Sequence, residues 1–224
     1  MDDPAPKVAR VRSRIERYRP GAESLLELGC GTGTMLAGFG DLQRLTGIDR
    51  SPEMLAIASE KVPGARLVEA DITSFELDQH FDVVICVFDT LNHVTSFERW
   101  EALFERAHTH LEPGGLFIFD VNTTTKLEGL AGYGPWFDEV DGTTVAQNVD
   151  PAVNGVSRWN VWIVESDATG ELAGHHEPIE ELSVELPRIE AAIRGSFELL
   201  EAEDECGNAP SLGSERVHYA YRRG

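Results

Sequence analysis

The spacing of apolar positions along the chain changes several times, and each change marks an element. From 7 to 18, Val8, Val11, Ile15 and Tyr18 recur every three or four residues, which predicts one face of a short helix. The run 24–28 (SLLEL) is continuous and apolar enough for a buried strand, and a glycine-rich loop follows it. A helix over 34–40, a strand over 44–49 and a helix over 51–62 come next. The last has Ser51 as N-cap, Pro52 at its first position and Glu53 in its first turn. A third strand is expected over 65–71 and a fourth over 81–89, the latter apolar on both faces. In 96–111, Phe97, Trp100, Leu103, Phe104 and Ala107 line one helical face. Pro113-Gly114-Gly115 then turns the chain into a fifth strand over 116–122.

Strands and helices therefore alternate up to residue 122. That order predicts an α/β fold: a Rossmann-like, mostly parallel seven-stranded sheet with helices on both faces and right-handed crossovers. Beyond 122 the helical period is lost. The stretches 143–149, 157–165 and 171–186 read as strands of a small antiparallel insert after strand five, with turns at 150–155 and 167–170. In the middle stretch Trp159, Val161 and Ile163 alternate with outward positions. A helix over 187–195 and two strands in hairpin relation, 196–204 and 215–223, complete the chain. With no repeat and no long linker, 1–224 is expected to form one domain, with the insert 123–185 covering the active site.

Charge narrows the choice of partner. Thirty-nine acidic residues face nineteen Lys and Arg, a formal net charge of −20, which disfavours phosphate backbones and anionic membranes. Three cysteines, Cys30, Cys86 and Cys206, form neither a disulfide framework nor a zinc motif, so a reducing cytoplasm is expected. The sequence shows neither a signal peptide nor an apolar run of membrane-spanning length.

Candidate chemistry begins at Leu26–Gly33, read Leu-Glu-Leu-Gly-Cys-Gly-Thr-Gly. Glycines at 29, 31 and 33 permit a tight turn and close approach of a ligand, and the following helix start offers free N–H groups. Asp49 ends the next strand, 20 residues after Gly29, where it is placed to accept hydrogen bonds from both hydroxyls of a ribose. A dinucleotide site needs G-x-G-x-x-G. Here the third glycine would fall on Thr34, or on Leu36 counting from Gly31. The carboxylate of Glu27 is also a poor neighbour for pyrophosphate, but it suits a phosphate-free ligand carrying an ammonium and a sulfonium.

With GIDRSPEML, EADITSF, FDVVICVFDTLNHV and LEPGGLFIFDVNT following in order, ELGCGTG resembles the first motif of class I S-adenosylmethionine-dependent methyltransferases. Within that class the chain is similar to small-molecule enzymes of the aminosugar N,N-dimethyltransferase type. The resemblance is good over roughly 20–125 and looser in the last hairpin. It implies S-adenosylmethionine as cofactor. Gly29, Cys30, Gly31 and Gly33 would line its methionine and ribose side, and Glu27 would orient the loop and hold the ammonium. Asp49 would hold the ribose, Arg50 and Met54 would flank the adenine, and Asp71 with the Ile72 backbone would take the adenine amino group. Val87 and Phe88 would bring backbone to the amino-acid end.

Asp89, Asn92 and His93 follow strand four, at the carboxyl edge where open α/β sheets bind ligands. They are the candidate substrate-side residues, with His93 a general base by its titration range. Tyr133, Trp136, Trp159 and Trp162 are candidates for an apolar lid. His175 and His176 are adjacent in a strand, so they point to opposite faces, and no metal site is expected. The expected activity is methyl transfer to a small-molecule acceptor, an amine nitrogen, with a hydroxyl, carboxyl or phosphonate oxygen as alternative. A non-catalytic, cofactor-binding sensor or partner subunit is the alternative of another class. Neither nucleic acid nor membrane is expected as partner. Only about twenty residues precede the first strand, fewer than in many relatives, so the insert or a homodimer partner would complete the cover.

Overall fold

The computed structural model describes residues 4–131, 133–140, 142–166 and 172–224. The expected turn at 167–170 lies outside the described residues. Helix α1 (Ala5–Tyr18) leads into the alternation β1 (Ser24–Leu28), α2 (Thr34–Ala37), β2 (Arg44–Asp49), α3 (Pro52–Lys61), β3 (Arg66–Glu69), β4 (Phe81–Cys86), α4 (Phe97–His110) and β5 (Leu111–Asn122). After α5 (Thr124–Ala131) come β6 (Trp136–Val140), β7 (Thr143–Val153), β8 (Val156–Ser166) and β9 (Leu172–Leu182). Then α6 (Leu186–Ile193), β10 (Phe197–Asp204) and β11 (Arg216–Arg223) end the chain.

Seven strands form one sheet in the order β10-β11-β5-β4-β1-β2-β3, with β1 to β5 parallel and β11 antiparallel to both neighbours. This is the expected α/β architecture. Apart from an irregularity between Phe81 and Val83, the central strands alternate between two cores, as in a sheet covered on both faces. Leu25, Val83, Ile85, Leu116 and Ile118 pack with Val11, Ile15, Met35, Leu36 and Phe39. Leu26, Val84, Cys86, Phe117 and Phe119 pack with Trp100, Leu103, Phe104, Tyr219 and Tyr221 on the other side. The order reverses between β1 and β4, and this switch point sets where a ligand crevice opens.

Several boundaries differ from the sequence reading. Strand β4 stops at Cys86, three residues early, because Phe88 and Asp89 adopt left-handed backbone (φ 62° and 53°), which no ladder accepts. Helix α2 is a single turn, ending where Gly38 lies against Val8. Strand β5 begins at Leu111, so Pro113-Gly114-Gly115 forms an irregularity within the strand rather than a turn before it. Helix α5 and strand β6 were not expected; the Gly- and Thr-rich 123–135 carries little helical or strand pattern. The insert is a separate four-stranded antiparallel sheet, β6-β7-β8-β9.

The arginines of α1 fasten it to its surroundings. Buried Arg14 pairs with Glu201 (2.5 Å) and Glu203 (3.0 Å) of β10, Arg19 with Asp82 (2.8 Å), and Arg12 with Asp41. At α3 the Ser51 hydroxyl accepts the Met54 N–H at 3.2 Å, as its sequence signature predicts. A Ser51→Ala variant is expected to lose about 1 kcal/mol of stability, read as a lower urea midpoint at unchanged slope.

Candidate functional site

The site is built on the switch point. Gly29 (φ 72°) lies under the turn after β4: a Cβ there would stand 2.3 Å from the Thr90 methyl. Gly31 (φ 49°) has nothing within 4 Å in its Cβ direction, so its backbone is open on that side. Asp49, at the end of β2, holds this loop: one carboxylate oxygen accepts the Gly31 N–H (2.8 Å) and the other the Ser51 N–H (3.0 Å). Glu27 lies beneath, pointing out of β1 into a sheltered position. Its Oε2 is buried without a hydrogen-bond partner. Burial, with the nearby charge of Asp49 adding to it and the Leu36 N–H opposing, pushes its carboxyl well above the usual range.

A crevice of about 230 Å3 opens above, lined by Gly29, Asp49, Arg50, Asp71, Ile72, Thr90, His93 and Arg99. Asp71 is held by Thr73, whose N–H (2.8 Å) and hydroxyl (2.7 Å) reach Oδ1, and by Arg99 (2.5 Å) on Oδ2. Burial opposes its charge, but these donors outweigh it and hold the carboxyl below the ordinary range. Arg99 and Thr90 were missed by the sequence reading. Arg99 sits among outward-facing positions of an amphipathic helix, and nothing in the pattern separates it from a solvated charge.

The structure thus brings Gly29, Asp49, Arg50, Asp71, Ile72 and His93 together. The others fall elsewhere. Met54 is 44% exposed on α3. Cys30 is buried in the core beside Leu36, and burial pushes its thiol up to about 12. Gly31 and Gly33 shape the loop, and Val87 lines a small hollow with Lys7 and Met35 on another side. The ring of Phe88 carries the Lys7 ammonium 3.9 Å from its centroid.

Asn92 departs most from its expected role. It is fully buried, and its side chain is spent on backbone: Nδ2 donates to the Asn122 (3.0 Å) and Leu182 (2.9 Å) carbonyls and Oδ1 accepts the Asn122 N–H (2.9 Å). It ties the turn after β4 to β5 and to the end of β9. The physical reason is that the turn carries Asn92 inward, under the surface that His93 shares with solvent.

Beside the crevice, Asp89, His93 and Glu181 place their polar atoms within 4.8 Å of one another. Asn122 bridges the two acids, its Nδ2 donating to Asp89 (3.0 Å) and to Glu181 (2.8 Å), while Lys126 donates to Asn122 Oδ1 (2.9 Å). Arg216 stands 3.3 Å from Asp89. Burial raises the Glu181 carboxyl above its usual range, the Asn122 amide opposing and Asp89 reinforcing. Burial lowers the Lys126 ammonium, with Arg216 adding to it. Three such groups are the donor set of a metal site, but donors from Asn122 and Arg216 already stand on both carboxylates. Glu181 was missed, because it comes 88 residues after His93 in a strand whose EPIEEL reads as solvent-facing.

The insert reaches the site through Glu181. Tyr133, Trp136, Trp159 and Trp162 do not line the crevice; Tyr133 and Trp162 instead border a roomier hollow of about 480 Å3 on the insert, whose lining has no acidic, basic or histidine side chain. His176 stacks on Trp162 (4.9 Å between ring centroids). No helix among the described residues is long and apolar enough to cross a membrane.

An open, doubly wound sheet with a glycine loop, an acid at the end of β2 and a crevice at the switch point defines a nucleoside-binding α/β protein. Residues 25–115 match the family described as methyltransferase domain. A crystal structure of an S-adenosylmethionine-dependent methyltransferase from Clostridium acetobutylicum superposes with a TM-score of 0.91 at 22% identity, covering 100% of this chain and 93% of that one. The S-adenosylmethionine-bound amino pentose methyltransferase of Micromonospora echinaspora, involved in calicheamicin biosynthesis, superposes with a TM-score of 0.83 at 26% identity, covering 100% and 92%. A dTDP-3-amino-3,6-dideoxy-alpha-D-glucopyranose N,N-dimethyltransferase of Streptomyces fradiae is 32% identical over 115 residues, 51% of this chain and 45% of the relative. The aligned stretch therefore spans about half the length of that curated relative. The chain thus has the fold of S-adenosylmethionine-dependent methyltransferases and over 25–115 is similar to the methyltransferase domain family.

Proposed function

We propose that this chain methylates the amine nitrogen of a small molecule of the amino-sugar class. The observation that carries the reading is the Asp89–His93–Glu181 group beside the crevice: two carboxylates and an imidazole that attract an ammonium and take its proton. The residues under and around the crevice suit the cofactor on three counts. Glu27 Oε2, beneath the glycine loop, lacks a partner in the described structure and matches an ammonium, Gly31 is open on its Cβ side, and Asp49 and Asp71 line the crevice with carboxylates. Bound S-adenosylmethionine supplies an electrophilic methyl on sulfur, which an in-line nucleophile displaces.

The chain's own residues orient and deprotonate. Asp49 would hold the ribose and Asp71 with Ile72 the adenine, while Arg50 and Arg99 border the same cavity. A neutral amine lone pair makes the new N–C bond as the C–S bond breaks, and the proton leaves to His93 or to a carboxylate of its group. The relatives' amino-sugar substrates and the net charge of −20 both support a small amine rather than a nucleic acid.

Release of S-adenosylhomocysteine is the direct test, with nucleotide-linked amino sugars and simple amines in one arm and hydroxyl, carboxyl and phosphonate compounds in the other. Turnover in the amine arm is expected. Turnover confined to the oxygen arm would move the acceptor to oxygen, and silence in both would favour a cofactor-binding partner subunit. His93→Ala is expected to slow turnover roughly tenfold, since Asp89 and Glu181 remain as acceptors, while S-adenosylhomocysteine affinity by calorimetry stays within about twofold. Equal losses in both would remove the base role.

A further inference from the structure

The turn after β4 holds two consecutive non-glycine residues, Phe88 and Asp89, in left-handed backbone (φ 62° and 53°). Such backbone is disfavoured for any residue with a Cβ, and the conformation persists only where its surroundings impose it. One group does so here. Asp120, buried at the end of β5, accepts the Phe88 N–H on Oδ2 (3.2 Å) and the Asp89 N–H on Oδ1 (2.7 Å). Successive N–H groups of such a turn converge into a concave anion site, and Asp120 fills it from within.

The charge of Asp120 is balanced from β11. The Arg216 guanidinium stands 3.5 Å from Asp120 and 3.3 Å from Asp89, so one cation serves both carboxylates. His218 lies 3.7 Å from Asp120, and burial followed by the charges of Arg10 and Arg14 pushes its imidazole down to about 3, so it is neutral there. Asp120 does not border the cofactor crevice; it lines the small hollow beside α1. Its contacts with the turn nevertheless decide where the Asp89 side chain points.

We propose that Asp120, with Arg216, is a positioning residue that locks the left-handed turn and so aims Asp89 at the acceptor beside His93 and Glu181. The proposal rests on the amine-methylation reading for its kinetic arm only. Relaxing the turn to ordinary negative φ would swing the Asp89 Cβ away from Asn122 and out of the group.

The test uses the full chain with Asp120→Asn, Asp89→Asn and the double variant, and Arg216→Lys in case Asp120→Asn fails to fold. Amide exchange read by NMR should show at least a tenfold loss of protection at Phe88 and Asp89 in Asp120→Asn or Arg216→Lys. S-adenosylhomocysteine affinity should stay within about twofold. Turnover should fall about tenfold in Asp120→Asn at unchanged KM for S-adenosylmethionine, and the double variant should be no slower than Asp89→Asn alone. Unchanged protection, or losses that multiply in the double variant, would overturn the proposal. If the wild type methylates no amine, the function assignment falls, while the exchange and affinity measurements still decide whether Asp120 holds the turn.

Discussion

An Asp49→Ala variant is expected to bind S-adenosylmethionine and S-adenosylhomocysteine at least about 100-fold more weakly than the wild type. Hydrogen bonds to a charged acceptor contribute roughly 1.5–3 kcal/mol each, and the proposed role of Asp49 gives it two, one to each ribose hydroxyl. A second effect adds to this. The same carboxylate holds the Gly31 N–H at 2.8 Å and the Ser51 N–H at 3.0 Å, so its loss also releases the glycine loop and the first residue of the α3 cap. Asp49→Asn separates the two effects: its single carbonyl oxygen keeps one loop contact and loses the charge. It should fall between wild type and Ala. Calorimetric titration decides the matter, and affinity within threefold of wild type in the Ala variant would remove Asp49 from the cofactor site.

The parts of this site that were legible in the sequence share one property: their position follows from local chain geometry. Gly29, Asp49 and Asp71 sit at or just past strand ends, and a strand end is fixed by the strand before it. The sheet order brings these ends to one crevice without further information. Glu181, Arg99 and Arg216 were not legible, because each reaches the site through a long-range pairing. Arg216 is placed by the antiparallel register of β11 on β5, where it faces Asn122, and Glu181 by the docking of β9 on the turn through Leu182 and Asn92. Asn92 fails in the opposite sense. Its motif position is right for the substrate side, but the left-handed turn rotates it into the core, and single-residue backbone geometry of that kind leaves no trace in hydrophobic period. The early stop of β4 has the same origin: VFD reads as more strand, yet Asp120 captures its N–H groups.

Glu27→Gln should raise the stability of the cofactor-free chain and weaken cofactor binding about 100-fold. The carboxyl of Glu27 is buried with one oxygen unpartnered, and its proton is held well above the ordinary carboxylate range. In the unfolded chain the same group ionises in the ordinary range. Between that range and the raised folded value, the folded state binds more protons than the unfolded one, so its stability falls as pH rises through the window. Gln carries no such proton, and its variant should show a flat profile there. At neutral pH the gain comes from having no carboxyl to keep protonated or bury as a charge, and it is read from the urea midpoint. The cofactor changes the balance. An ammonium beside Glu27 favours the carboxylate, so binding should release a proton from the wild type. Calorimetry in buffers of different ionisation enthalpy would count it, and Glu27→Gln should release none. A Gln variant that matches the wild type in stability, proton release and affinity would reduce Glu27 to a loop support. The predicted exchange of stability for affinity marks it as a group kept for its ligand, because a protein selected for stability alone would bury an apolar side chain or a satisfied amide at that position.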